Sequence, residues 1–192
     1  MTATTKLFTL DEYLAYDLIP DKSYELENGI IREMPTESDI NIQIAMYLIG
    51  VFAQILPIRL LRRGTEVAVS GSRATVRQPG LMVLTEESYT AVSTTSRSLI
   101  APDMPPPELA VEIVSPRKEN ANRDYRYKRS EYAASGIAEY WIIDPKLARV
   151  IVLTLVDGLY EEAVYQNAES LVSRSFPDID LTAKQVLQLE VT

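Results

Sequence analysis

Two residue types are missing from this chain of 192 residues: it has no cysteine and no histidine. Without cysteine there is no disulfide, no thiolate nucleophile, no zinc–thiolate site and no iron–sulfur cluster. Without histidine the commonest general base and the commonest transition-metal ligand are gone. Chemistry is left to carboxylates, lysine, hydroxyls or a bound hard cation. There is also no glycine-rich phosphate loop and no Gly-x-Ser-x-Gly elbow, and a serine nucleophile would lack its histidine. The first residues, Met1-Thr2-Ala3-Thr4-Thr5-Lys6-Leu7-Phe8, hold no apolar signal core, so a cytoplasmic location is expected.

What is present reads as one globular domain over residues 1–192. Hydrophobic residues make up 46% and charged residues 24%, enough for a sizeable core. The formal net charge is −8. Such a protein is a poor non-specific binder of nucleic acid unless a local basic patch offsets the balance.

Local signals divide the chain. Thr9-Leu10-Asp11-Glu12 is a capping box with Phe8 and Tyr13 at the staple positions, opening a short helix to about Leu18. Asn28-Gly29 between the runs Ser23 to Glu27 and Ile30 to Met34 predicts a hairpin. From residue 40 to residue 58 there is no charge, but Asn41, Gln43, Gln54 and Pro57 argue against a membrane span. Ile44, Leu48, Val51, Phe52 and Ile55 have helical spacing, which suits a core or dimer-interface helix, and a homodimer is expected. Leu81 to Leu84 reads as a strand. Residues 85–107, rich in Ser, Thr and Pro and without a period, read as a long loop. Further on come a strand Glu108 to Val114, a helix from about Asn122 to Ser135 with Gly136 just past its end, and a strand Ala138 to Ile143. A second hairpin about Asp157-Gly158 and a short tail helix complete the chain.

Two features point to chemistry. Glu112 is a lone carboxylate in Leu109-Ala110-Val111-Glu112-Ile113-Val114, a strand apolar on both faces. A buried carboxylate must be paired, desolvated or bound to a cation. The plainer alternative is a strand-end glutamate that reaches solvent or pairs with an arginine. The second feature is a basic segment with Arg117, Lys118, Arg123, Arg126, Lys128 and Arg129 against Glu119 and Asp124. It could meet phosphates beside Glu112, or be a solvated helix with Asp124 and Lys128 as an i,i+4 pair. Glu25, on the polar side of a hairpin strand, is expected at the surface.

Four stretches, in order, resemble a known family. They are Tyr24-Glu25-Leu26-Glu27-Asn28-Gly29; Arg77-Gln78-Pro79-Gly80-Leu81-Met82-Val83; Pro107-Glu108-Leu109-Ala110-Val111-Glu112-Ile113-Val114-Ser115-Pro116; and the pattern from Arg123-Asp124 through Lys128, Tyr132, Gly136-Ile137 and Glu139-Tyr140-Trp141-Ile142-Ile143-Asp144-Pro145. This arrangement is similar to the restriction-endonuclease family of the PD-(D/E)XK phosphodiesterase superfamily. The resemblance implies an α/β (α+β) fold, a mixed β-sheet flanked by helices. It implies Mg²⁺-dependent cleavage of DNA by an aspartate and a glutamate on adjacent strands, with a lysine at the attacked phosphate. Glu112 matches the strand glutamate, Glu25 the hairpin glutamate and Lys128 the lysine, since Val114 occupies the superfamily's usual lysine position. Arg117, Lys118, Arg123, Arg126 and Arg129 would contact DNA.

Two positions depart from the pattern. The family's Pro-Asp is Pro79-Gly80 here, and a histidine usual in the long helix is Asn41. Gly80 supplies no ligand, so Mg²⁺ or Mn²⁺ should bind weakly. The implied alternatives are an endonuclease with a weakened metal site and a catalytically silent relative that serves in binding or assembly.

Overall fold

The computed structural model describes residues 6–19, 22–69, 73–115 and 123–188. Thr9 caps α1 (Leu10–Leu14): its hydroxyl accepts from Glu12 N, and the Glu12 carboxylate accepts from Thr9 N. The helix stops four residues short of Leu18. The Asn28-Gly29 turn, with both φ angles positive, joins β1 (Tyr24–Glu27) to β2 (Ile30–Glu33) as the sequence predicts.

Helix α2 (Asp39–Phe52) ends well before residue 58. Pro57 cannot donate and restricts the residue before it, so the chain turns through Pro57 into a 3₁₀ segment at Ile58–Leu60. Asn41, Ile44, Ala45, Leu48 and Phe52 form the buried face, while Ile42 and Met46 stay exposed. The uncharged run is thus half core and half surface. Among the described residues no helix is long and apolar enough to cross a membrane.

Strands β3 (Leu61–Arg62), β4 (Glu66–Val69), β5 (Thr75–Arg77) and β6 (Leu81–Val83) follow. The stretch read as a long loop instead contains α3 (Glu86–Ser93) and β7 (Leu99–Ile100). Thr85 and Ser88 form a capping box in which serine replaces the usual glutamate, and Thr90 and Ser93 return their hydroxyls to backbone carbonyls one turn earlier. These hydroxyls hide the helix, because the same residues commonly stabilise turns.

Strand β8 (Leu109–Ile113) is followed by a π-helical turn at Arg123–Tyr127 that runs into α4 (Lys128–Ala134), closed by Gly136 at φ +75. Then come β9 (Glu139–Asp144), β10 (Arg149–Val156), β11 (Leu159–Gln166) and α5 (Ala183–Gln188).

The strands form two mixed sheets. One has the order β2-β1-β5-β4-β7, the other β11-β10-β9-β8-β6-β3. Pairing is parallel at β8/β9 and at β4/β7. Successive residues of β8 feed different cores. Leu109, Val111 and Ile113 pack with Ile44, Leu48 and Phe52 of α2. Ala110 and Val114 pack with Tyr132 and Tyr140. Both faces of the strand are covered, which is why its sequence reads apolar throughout.

Glu139 begins β9 and anchors the segment after β11. Fully buried, it accepts from Trp141 Nε1 at 3.0 Å, Ser173 Oγ at 2.8 Å and the backbone N–H groups of Arg174 and Ser175 at 2.5 and 2.9 Å. Hydrogen bonds to a charged group contribute about 1.5–3 kcal/mol each, and orphaned donors add to the cost of losing them. Glu139→Ala should therefore lower the unfolding free energy by about 3 kcal/mol or more in a urea titration. An unchanged midpoint would mean that Leu171, Phe176 and Ile179 hold the segment by apolar contact alone.

Candidate functional site

The site is built where the end of β8 meets β6, β1 and α4. In the antiparallel ladder Leu81 faces Val111 and Met82 faces Ala110, so Gly80 stands one step on, opposite Glu112. A Cβ added at Gly80 would meet Val111 O at 3.5 Å and Ile113 Cδ1 at 3.9 Å, ordinary contacts, and the backbone there is not in the left-handed region. The glycine is not required by its conformation.

Glu112 is 6% exposed and lines a cleft of about 750 Å³ with Asn41, Gly80, Ile113, Lys22 and Arg63. Its Oε1 accepts from Lys128 Nζ at 2.6 Å and from the Tyr132 hydroxyl at 2.7 Å. The spacing of Lys128 and Tyr132 puts both on one face of α4, and that face packs on β8. Lys128 is 1% exposed and is not among the residues lining the cleft. It also meets Glu25 Oε1 at 3.3 Å.

Glu25, expected at the surface, is buried. The alternation of β1 fails as a guide because the five-stranded sheet turns that side toward α4. Glu25 also accepts from Arg77 Nη1 at 3.0 Å and from the backbone of Gln78 at 3.3 Å. Arg77, itself 1% exposed, donates both Nε and Nη2 to Glu131 of α4 at 2.8 Å. Burial works against its charge, but the hydrogen bonds to Glu131 and the charge of Glu25 outweigh that and raise its pKa. Sequence reasoning does not single out Arg77. The usable signal is weak, a lone guanidinium in the short strand Thr75-Val76-Arg77.

The basic segment does not act as one surface. Arg117 and Lys118 lie outside the described residues, and of Arg123 only the backbone is described. Arg126 is exposed, Lys128 points inward, and Arg129 is tied to β11 through Glu162 Oε2 at 2.5 Å and Tyr160 O at 2.9 Å. Asp124 has no described side chain, so the i,i+4 pair with Lys128 also falls outside the description.

A hard divalent cation needs oxygen ligands. Among the described residues no group of three acidic side chains converges to hold one. Glu112 and Asn41 are among the residues that line the cleft. Asn41 Nδ2 donates to Ile113 O at 3.0 Å, and Asn41 Oδ1 is buried without a partner, as is Ser38 Oγ at the start of α2. Sequence reasoning notes Asn41 only as a departure from a family pattern. Its position is set by the packing of α2 on β8.

Buried phenols surround this region. Burial, then the charge of Glu112, holds Tyr132 well above the ordinary value of 10. It is therefore a hydrogen-bond donor at any neutral pH. Burial and Asp144, which accepts from the hydroxyl at 2.7 Å, push Tyr125 up to about 12. Above pH 10 the unfolded chain loses phenolic protons that the folded chain keeps. The stability these groups contribute is complete below 10 and is lost as pH rises through their folded values. Urea midpoints should fall steadily from pH 10 to about 12. A flat profile across that window would show that the hydroxyls ionise as easily folded as unfolded.

With this geometry in hand, comparison with known proteins places the chain. The model of the Uma2 family, described as "Putative restriction endonuclease", matches residues 10–184. No curated protein matches significantly. A crystal structure described as that of a putative nuclease belonging to DUF820 from Anabaena variabilis ATCC 29413 shares the fold, with a TM-score of 0.71 at 18% identity over 94% of this chain and 98% of that one. At that identity the likeness concerns the fold alone, a mixed α+β architecture of sheets flanked by helices. The family match spans nearly all of the described structure, and the chain belongs to the Uma2 restriction-endonuclease family.

Proposed function

We propose that this chain acts on the phosphodiester backbone of DNA as a nuclease whose divalent-cation centre, at Glu112, is weakened. Family membership supports a nucleic-acid substrate. The observation that carries the reading is the position of Glu112, a nearly buried carboxylate lining a cleft opposite a glycine that has room for a side chain. The donors there are all oxygen, which suits Mg²⁺ or Mn²⁺ in kind, but they lack a second carboxylate. Glu112 would hold the cation, whose chemistry when bound is to activate water and neutralise charge on the phosphodiester.

The chain's own residues prepare that carboxylate. Lys128 and Tyr132 fix Glu112 from behind, and Glu25 holds Lys128 in turn. On this reading Lys128 is a positioning residue, since its ammonium does not line the cleft. Arg126, exposed on the turn before α4, would meet phosphates from outside.

A second reading is favoured by one observation. Glu112 Oε1 is already engaged by an ammonium and a phenol, and position 80 offers no ligand. On that reading the chain keeps the fold for binding or assembly and does not cut.

Plasmid cleavage in Mg²⁺ or Mn²⁺ separates the two. Gly80→Asp should raise nicking by roughly tenfold or more, about 1.4 kcal/mol of barrier, with Glu112→Gln as the blank. A folded Gly80→Asp no more active than the blank would end the nuclease reading. DNA affinity should also fall as salt rises, and Arg126→Glu should reduce the slope of log affinity against log salt by about 1. Salt-independent or undetectable binding at low salt would remove DNA as the partner.

A further inference from the structure

Helix α2 buries one face and leaves the other uncovered. Residues 40–58 contain no charged side chain, in a chain whose net charge is −8. Among the described residues, five of the thirteen large apolar side chains that stay exposed belong to this short stretch: Ile40, Ile42, Met46, Ile55 and Ile58. Single apolar residues on a surface mean little, but a group gathered in one place marks a contact. Beside them Tyr47, Val51 and Ile55 line a groove of about 250 Å³.

Gly50 adds an independent observation. It lies inside α2, where glycine is a poorer helix former than alanine. Its backbone is not left-handed, and a Cβ added there would meet nothing within 4 Å. No contact within the chain therefore requires a glycine at this position. A missing side chain on an open helix face does allow a second helix to come close.

Charge and symmetry select the occupant. A charged surface would lose water against this face and find no counter-charge on it. A second copy brings a face as uncharged as the first. Gly50 stands midway between Met46 and Gln54, so a two-fold crossing at that point sets Gly50 against its own counterpart and Met46 against the partner's Gln54. The antiparallel sense opposes the helix dipoles and keeps the two Asp39 carboxylates apart. Asn41, which lines the cleft, is nine positions from Gly50 and so on the opposite side of the helix, and pairing leaves both clefts open.

We infer that two copies of this chain associate through the outward face of α2, antiparallel and crossing at Gly50. Neither DNA nor a cation enters the test, so its outcome is independent of the nuclease reading. Sedimentation equilibrium of the full chain at micromolar concentration should give twice the mass of 21.6 kDa. Met46→Glu puts a carboxylate on each half of the face and should raise the dimer dissociation constant about tenfold or more. Leu159→Glu makes the same kind of change on the exposed strand β11 and should leave the dimer intact. Both positions are exposed, so neither variant threatens the fold.

The chain has no cysteine, so Gly50→Cys introduces a single thiol. Mild oxidation should join two copies through it, which needs Cα atoms within about 7 Å. Met46→Cys, displaced along the antiparallel pair, should stay uncrosslinked. A dimer that Met46→Glu leaves intact, or crosslinking at position 46 in preference to position 50, would overturn the inference. A monomeric wild type would also overturn it and would leave the face to a different partner.

Discussion

The structure turns on a buried chain of charges: Glu131, Arg77, Glu25, Lys128 and Glu112, closed by the Tyr132 hydroxyl. Arg77 and Glu25 belong to the five-stranded sheet, Glu112 to the six-stranded sheet, and Lys128, Glu131 and Tyr132 to α4 between them. Apart from Glu131, which is partly exposed, these ions are buried, so each depends on the next. An apolar replacement of such a network can be neutral, but removing one member leaves a charge stranded at a cost of roughly 3–5 kcal/mol. The network therefore contributes little to net stability, but displacing α4 from the two sheets would strand its charges.

That dependence determines what Glu112 can do. A carboxylate on a central strand would ordinarily be protonated or displaced from the core. Here Lys128 and Tyr132 each donate to it where it lines the cleft, and the phenol cannot compete for the role of base, because burial and the neighbouring carboxylate keep it protonated. The same two partners also tie up Glu112 Oε1, so the structure that keeps the charge in place reduces its availability. A cation in the cleft would have to share Glu112 with them, and neither Gly80 nor the amide of Asn41 adds negative charge.

The tyrosines extend the same design outward. Arg97 chelates Glu66 with Nε and Nη2 and stacks over Tyr13, whose hydroxyl also donates to Glu66. The Tyr125 hydroxyl donates to Asp144 and accepts from Arg149 Nε, so the phenol stands between the two charges. In both places a phenol donates to a carboxylate while a guanidinium lies over the phenol's ring.

Much of this was legible in the residues alone. The capping box at Thr9, the Asn28-Gly29 and Asp157-Gly158 turns, the both-faces-apolar strand around Glu112 and the glycine at the end of α4 are local signals, and local physics decides them. The family resemblance was likewise carried by short stretches in order. The helix after Thr85 escaped because serine and threonine stabilise turns and helix caps by the same hydrogen bonds. Glu25 was misplaced because strand alternation says which side a residue faces, not what covers that side. The inward turn of Lys128, the part played by Arg77 and the orphaned oxygen of Asn41 depend on partners 16 to 103 positions away in the chain, as with Lys128 and Glu112 or Glu25. No window of sequence contains both members of such a pair, so only the packing of α4 and α2 on the sheets could decide them.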